Sequence, residues 1–411
     1  MGPRRRRWRR RAVKAVLVAL GLAVLALLGS GEGEELLAEA LAAGRIGGPG
    51  GEIGGPEVGI GGPGVGISAL GGEISTPEGG TGGPASPNGG PHTLPDCSGL
   101  LSGGSGLLPE SPSESPRTPK LLLSPPPCSP PSPFLLILIP SSPSHPERRL
   151  AVRNTWGGNT WPDTDTPPSR TVFVLGVSTS PREQREVLEE WRQHRDILQG
   201  DFLDTYANLT WKTLLLLRWS RSCCGGTPFL LKADDDVFVN VPAVAAYLTE
   251  RTARPSRLYL GRVHWRVTPN RDPRSRHHVP ARLYPGSRFP PYCSGTAYVL
   301  SRQAALAALA EAPGVPPELP EDVWVGLCAG RAGVAVRHSA RFGGSWRFPA
   351  EGCCVGRVLF SAHGVRPWEM RRVWAERPGG CGVLRGALGV TGCRLMALGA
   401  WLWGEGRGEG E

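Results

Sequence analysis

The sequence predicts an α/β domain built on a largely parallel sheet, held to a membrane by one N-terminal helix and a long stem. Three observations carry this reading. Residues 134–139, FLLILI, are an apolar run of strand length without polar interruption, the mark of a strand buried on both faces. From there strand-like and helix-like segments alternate as far as residue 329, as parallel strands joined by crossovers require. Three consecutive aspartates, Asp234, Asp235 and Asp236, stand between two apolar strand halves in FLLKADDDVFV, so the acids belong where a strand leaves its sheet rather than in a core.

Taken from the N-terminus, residues 1–11 are an arginine-rich tail and residues 12–28, AVKAVLVALGLAVLALL, are apolar apart from Lys14. At 1.5 Å per residue this helix spans roughly 26 Å, enough for a thin bilayer of the early secretory pathway. Arginines before it and Glu32, Glu34 and Glu35 after it place the N-terminus in the cytosol and the remainder in the lumen. A cleaved signal peptide is the competing reading. The formal charge of +10 invites a nucleic-acid partner, but seven arginines between Arg4 and Arg11, with Lys14, account for +8. The +2 left over the rest of the chain excludes nucleic acid as the partner of the folded body.

Residues 29–133 read as a flexible lumenal stem. Of the 58 glycines, 24 fall between Gly44 and Gly106, and no helical or alternating apolar period accompanies them. The domain occupies residues 134–376. After the first strand come a strand at 171–177, a charged helix at 182–195, a short strand near 196–202 and a leucine-faced helix at 209–221. The aspartate segment follows at 229–239, then strands at 258–265 and 297–300 and helices at 303–311 and 322–329. Residues 377–411 are a Gly-rich tail. A lumenal location makes the ten cysteines candidates for disulfides and Asn208, in Asn208-Leu209-Thr210, a glycosylation acceptor. The doublets Cys223-Cys224 and Cys353-Cys354 lack the spacing of a zinc site and fit disulfides with buried thiols.

Alternation along a strand puts Asp234 and Asp236 on one face and turns Asp235 away, with Lys232 on the face of the pair. Two carboxylates at a strand end suit Mg²⁺ or Mn²⁺ with substrate phosphates; an acidic loop capping the next helix is the plainer alternative. Glu321 and Asp322 open a helix after Pro320, where acids also serve the helix dipole. Arg148, Arg149, Arg153 and Trp156 follow the first strand, with Arg149 and Arg153 four apart on one face, either at a nucleotide mouth or on a solvated basic surface.

Five segments in order, ERRLAVRNTWG, DFLDTYANLTWKT, FLLKADDDVFVN, YPGSRFPPYCSGTAYVLS and PEDVWVGLC, resemble the successive motifs of the inverting β-1,3-glycosyltransferases, the family that contains the β-1,3-galactosyltransferases. The resemblance covers about residues 134–374. YLGRVHWRVTPNR and GCCVGRVLFSAHGVRPWEM look most like members acting on N-acetylgalactosamine-ended gangliosides. It implies a GT-A (Rossmann-like) fold, a type II Golgi membrane enzyme, UDP-galactose as donor, a glycolipid acceptor and Mn²⁺. It also implies metal contacts from Asp234, Asp236 and His363, and nucleotide contacts from Arg149, Arg153, Lys212, Asp234 and Asp235. By the same resemblance Trp156, Tyr292, Ser294, Gly295 and Glu321 meet substrate, and Asp322 is the general base. Self-association, or association with other glycosyltransferases, is a further expectation. The motif usually has glycine where this chain has Ala297. Two rivals stay open: N-acetylglucosamine transfer by the same machinery, and a catalytically silent lectin-like protein.

Overall fold

Leu135–Pro140 forms a strand in which every residue is buried, because helices cover it on both sides. The computed structural model describes residues 119–158, 166–250, 257–344, 348, 352–376, 392, 393 and 396. The expected cytosolic tail, anchor and most of the stem lie outside these residues. No helix among the described residues is long and apolar enough to cross a membrane.

In chain order the elements are β1 (Leu121–Leu123), β2 (Leu135–Pro140), α1 (Pro146–Arg153), β3 (Ser169–Val177), α2 (Pro181–His194), β4 (Ile197–Leu203) and α3 (Leu209–Cys223). Next come β5 (Phe229–Ala233), β6 (Phe238–Val239), α4 (Val241–Thr249), β7 (Tyr259–His264), β8 (Tyr292–Ser301), α5 (Arg302–Glu311) and α6 (Glu321–Arg331). The chain continues through β9 (Val336–His338), α7 (Gly352–Arg357), β10 (Ser361–Ala362) and α8 (Pro367–Glu376). The sheet runs β1-β4-β3-β2-β5-β8-β7-β9, and β6 pairs separately with β10. Strands β4, β3, β2 and β5 are mutually parallel, whereas β8 runs against both β5 and β7, so the architecture is a mixed α/β sheet.

The pleat sorts the apolar residues into two cores. Leu135, Ile137 and Ile139 join Val152, Val244, Leu248, Val355 and Met370 on one side. Leu136 and Leu138 join Leu214, Leu217, Ala304, Val323 and Trp324 on the other. A one-residue slip of β2 would exchange the two sets, and with roughly 1.5–3 kcal/mol at stake for each large side chain fully buried, the register is fixed by packing.

The folded region begins earlier than the expected boundary at 134. β1 lies at the sheet edge, antiparallel to β4, and Cys128 is disulfide-bonded to Cys224. Short apolar LLL among prolines gave no strand period; only pairing with β4 orders it. At the other end, Cys393 is buried and bonded to Cys354, so the expected Gly-rich tail is tied to the core at that residue. Cys223, the other half of its doublet, is buried, and Cys224 is the member that bonds Cys128.

Chain order creates the site. β2 leads to β3 on one side, while β5 takes the place on β2's other side, so the loops after β2 and β5 part and leave a crevice at the strand ends. Asp234, Asp235 and Asp236 stand on one wall and the segment from Ser141 to Arg149 on the other.

Candidate active site

The three aspartates do not continue the strand. β5 ends at Ala233, and the chain turns, with the Val237 amide donating to the Asp234 carbonyl at 3.2 Å. The turn still separates the side chains as alternation predicts. Asp235 is buried and accepts from Ser141 Oγ (2.8 Å) and Arg148 (2.9 Å), with His145 Nδ1 at 2.9 Å. Burial works against its charge, but these three partners outweigh it and hold the carboxyl below the usual range. Asp235 is therefore internal to the crevice wall and not open to a nucleotide.

Asp234 and Asp236 face out together. Pairing of β6 with β10 sets Ala362 opposite Phe238, and the Val365 amide donates to the Asp236 carbonyl at 2.8 Å. This brings His363 Nε2 to 3.5 Å from Asp236 Oδ1. One donor atom each from Asp234, Asp236 and His363 lies within 4.8 Å of the others. Two hard carboxylate oxygens and an imidazole nitrogen, all partly exposed, fit a divalent cation such as Mn²⁺.

Asp322 reaches the crevice from a different element. Helix α6 packs tightly on β8 because Gly326 has no side chain: a Cβ there would overlap that of Tyr292. The approach brings Asp322 Oδ2 to 3.3 Å from the Gly295 amide, while Oδ1 accepts from the Val323 amide at 2.9 Å. A Cβ on Gly295 would stand 3.3 Å from Glu321 Oε2 and 3.6 Å from Asp322 Oδ2, so glycine also leaves room for the acid. Burial first, then the charge of Glu321, pushes the Asp322 carboxyl up to about 6.

Lys232 links the two acidic centres. Its ammonium, 4% exposed, donates to Asp234 Oδ1 at 2.7 Å and to the Gly295 carbonyl, and pairs with Glu321 Oε2 at 3.3 Å. Register explains the reach, since β5 and β8 pair Lys232 with Tyr298 and Ala233 with Ala297. Ala297 is fully buried there, so its methyl adds to the core and does not enter the crevice.

The Galactosyltransferase family model matches residues 147–340. Mouse beta-1,3-galactosyltransferase 4 is 39% identical over 329 residues, which span 70% of this chain and 87% of that protein. The chain belongs to the β-1,3-galactosyltransferase family. Human beta-1,3-galactosyltransferase 9 is 36% identical over 265 residues, 64% of this chain and 71% of that one. A Xenopus tropicalis lactosylceramide 1,3-N-acetyl-beta-D-glucosaminyltransferase is 32% identical over 273 residues, 64% and 72% of the two chains.

Several residues of this family member stand elsewhere than the motifs implied. Arg149 is fully buried and all five of its guanidinium donors are taken: Glu190 twice (2.8 and 2.6 Å), Ser141 Oγ (3.1 Å) and the carbonyls of Ser142 and Pro143. Arg153 is clamped by Asp196 at 2.8 and 2.9 Å and by Glu190 at 2.7 Å. Arg149 ties α1 to α2, Arg153 ties it to α2 and to Asp196 just before β4, and neither leaves a fork open to a nucleotide. Arg148, one residue away and about 100° around the helix, is the arginine that meets Asp235 and Asp236. Lys212 is buried between the Ser141 carbonyl (2.6 Å) and Asp204 (2.9 Å), and burial lowers its pKa. Trp156 is a core residue with no exposure, its Nε1 without a partner, and so does not meet substrate.

Glu321 is likewise internal. Oε1 accepts from Thr213 Oγ1 (3.0 Å) and the Tyr298 hydroxyl (2.7 Å), so this residue positions Lys232 and does not touch a ligand. Tyr292 is 7% exposed and packs on His264 and Phe289; Ser294, also buried, has its Oγ 3.2 Å from Thr296 Oγ1. Of the expected sugar-contact group, the Gly295 backbone borders Asp322 directly. Asn208 is half-buried at the start of α3, with Nδ2 donating to the Leu203 carbonyl at 2.8 Å. His145 and the bridging role of Lys232 carried no sequence signal, because both depend on which loops meet.

The largely buried Arg149–Glu190 pair carries stability. Replacing Arg149 with Met leaves Glu190 buried without its main partner, and breaking such a pair costs about 3–5 kcal/mol. Arg149→Met should therefore melt well below the parent while its folded fraction keeps UDP affinity. A normal melting temperature with lost UDP binding would return Arg149 to the nucleotide site.

Proposed function

We propose that the protein transfers galactose from UDP-galactose, in β-1,3 linkage and with inversion, to a terminal N-acetylgalactosamine of a ganglioside. The supporting observation is the separation of two acidic centres on different elements, Asp322 on α6 and the Asp234, Asp236 and His363 group, with Lys232 between them. Inverting transfer needs this division: one carboxylate takes the proton of the acceptor hydroxyl, and a second centre on the far side receives the departing diphosphate. Asp322, raised to about 6, is ionised at neutral pH and basic enough to accept that proton. Asp234, Asp236 and His363 would hold Mn²⁺, which when bound supplies electrostatic stabilisation to the leaving diphosphate. Arg148 stands beside these residues as a cation for the same charge.

The mixed sheet and strand-end crevice fit a GT-A fold. The apolar segment at 12–28 supports a type II Golgi membrane protein with the domain in the lumen, where Asn208 meets the glycosylation machinery. The kinship with the Xenopus lactosylceramide enzyme supports one second reading, N-acetylglucosamine transfer. The full chain in detergent, offered UDP-galactose, UDP-N-acetylglucosamine and UDP-glucose with N-acetylgalactosamine-ended and galactose-ended acceptors, separates the two. Turnover with UDP-galactose should exceed that with the other donors by tenfold or more, and the reverse order overturns the donor assignment.

A further inference from the structure

The loop at 265–291, between β7 and β8, carries six arginines against one acid, Asp272. Two are consumed internally. Arg271 donates to the carbonyls of Val279, Tyr284 and Gly286 at 2.6, 2.8 and 2.9 Å, which folds the loop on itself. Arg274 is paired with Asp272 at 2.9 Å. Arg276 is exposed and has no carboxylate partner among the described residues; its Nε donates to His277 Nε2 at 3.0 Å. Its guanidinium lies 5.6 Å from the centre of the Tyr206 ring.

Tyr206 belongs to the short 3-10 turn Tyr206–Asn208 that leads into α3. It remains 53% exposed, although Arg276 stands over the ring and His277 meets it edge-on at 5.6 Å. The Tyr206 hydroxyl is 3.0 Å from His277 Nδ1, so this contact ties the turn to the basic loop. The turn also has a fixed relation to the candidate base. Four residues on, Thr210 Oγ1 donates to the Leu319 carbonyl at 2.7 Å, and Thr213 Oγ1 to Glu321 at 3.0 Å, which pins the first turns of α3 to the segment carrying Asp322. Burial, and after it the charge of Asp322, raises the Tyr206 phenol.

A half-exposed aromatic ring and a guanidinium with no carboxylate partner among the described residues, at the lip of the base, are a surface with two complementary demands. The ring takes an apolar C–H face, and the planar cation takes a carboxylate in bidentate fashion. We propose that Tyr206, Arg276 and His277 form an acceptor subsite for a carboxylate-bearing glycan, one sugar resting on Tyr206 and its acid group on Arg276. His277 fixes the ring. The proposal deepens the reading of this site as a glycan-acceptor site and rests on it.

The test uses the full chain in detergent with UDP and Mn²⁺, and two soluble oligosaccharides ending in N-acetylgalactosamine that differ only in a sialic acid branch. Calorimetry should show the acidic glycan bound about tenfold tighter, the worth of one good charge-assisted contact. Arg276→Gln should erase that preference, and Tyr206→Ala should weaken both glycans about tenfold while Tyr206→Phe restores most of the loss. Arg182→Gln, on the exposed face of α2, should change neither. Equal binding of the two glycans by the parent, a preference that survives Arg276→Gln, or unaltered affinities in Tyr206→Ala would each overturn the subsite. A parent that binds with the expected preference yet transfers no galactose to either glycan supports the subsite and rejects the transfer reaction, so the two failures are distinguishable.

Discussion

Asp322→Asn is expected to lower turnover per folded molecule by roughly 10²- to 10⁴-fold, the usual contribution of a general base. Asparagine keeps the size of the side chain and the acceptor for the Val323 amide while removing the proton acceptor. Stability should not fall with it. The folded protein holds this carboxyl at about 6, above the ordinary 3.8, so the fold favours its protonated form; that contribution is complete below 3.8 and is lost as pH rises through 6. An amide never ionises, and at pH 7 the variant should melt no lower than the parent. The same shift sets the pH profile: kcat of the parent should fall about tenfold per unit below pH 6, and the residual activity of Asp322→Asn should lack that limb. Glu321→Gln is no silent control, because Glu321 is buried against Lys232, Thr213 and Tyr298. Glu318, exposed before the helix, serves instead, and Glu318→Gln should turn over normally. Normal turnover in folded Asp322→Asn would mean that another group takes the proton.

Chelation should have an effect of comparable size. With Asp234, Asp236 and His363 as the donor set, EDTA should abolish transfer, Mn²⁺ should restore it, and Asp236→Asn should lose UDP-dependent Mn²⁺ binding measured by electron paramagnetic resonance. Asp236 is the informative position because Asp234 is also the anchor of Lys232, so its removal would disturb α6 as well. Transfer that continues undiminished in EDTA would remove the metal from the mechanism.

The corrected arginines show where sequence reasoning stopped. Arg149 and Arg153 share a helix face, as their spacing requires, but spacing does not say what that face meets. Glu190 on α2 and Asp196 before β4 meet it, and carboxylates at 2.6–2.9 Å turn a candidate phosphate clamp into a buried structural network. Trp156 failed for a related reason: an aromatic beside arginines reads as a ligand platform until the packing of α1 on the sheet buries it completely.

What the sequence determined by itself are the features set by local periodicity and local chemistry. The unbroken apolar run of β2, the amphipathic α2 and the acidic strand end of β5 were legible because each depends on residues close in the chain. The ordered motifs likewise carried the family. Tertiary structure alone decided the partners. His363 meets Asp236 only because β10 pairs with β6, and Asp322 meets Gly295 only because Gly326 lets α6 close on β8. Lys232 joins the two centres because antiparallel β8 brings Gly295 beside the end of β5. Periodicity fixes which face of an element is apolar, whereas the energy of a buried charge depends on what stands within about 3 Å of it, and that is a property of the assembled sheet.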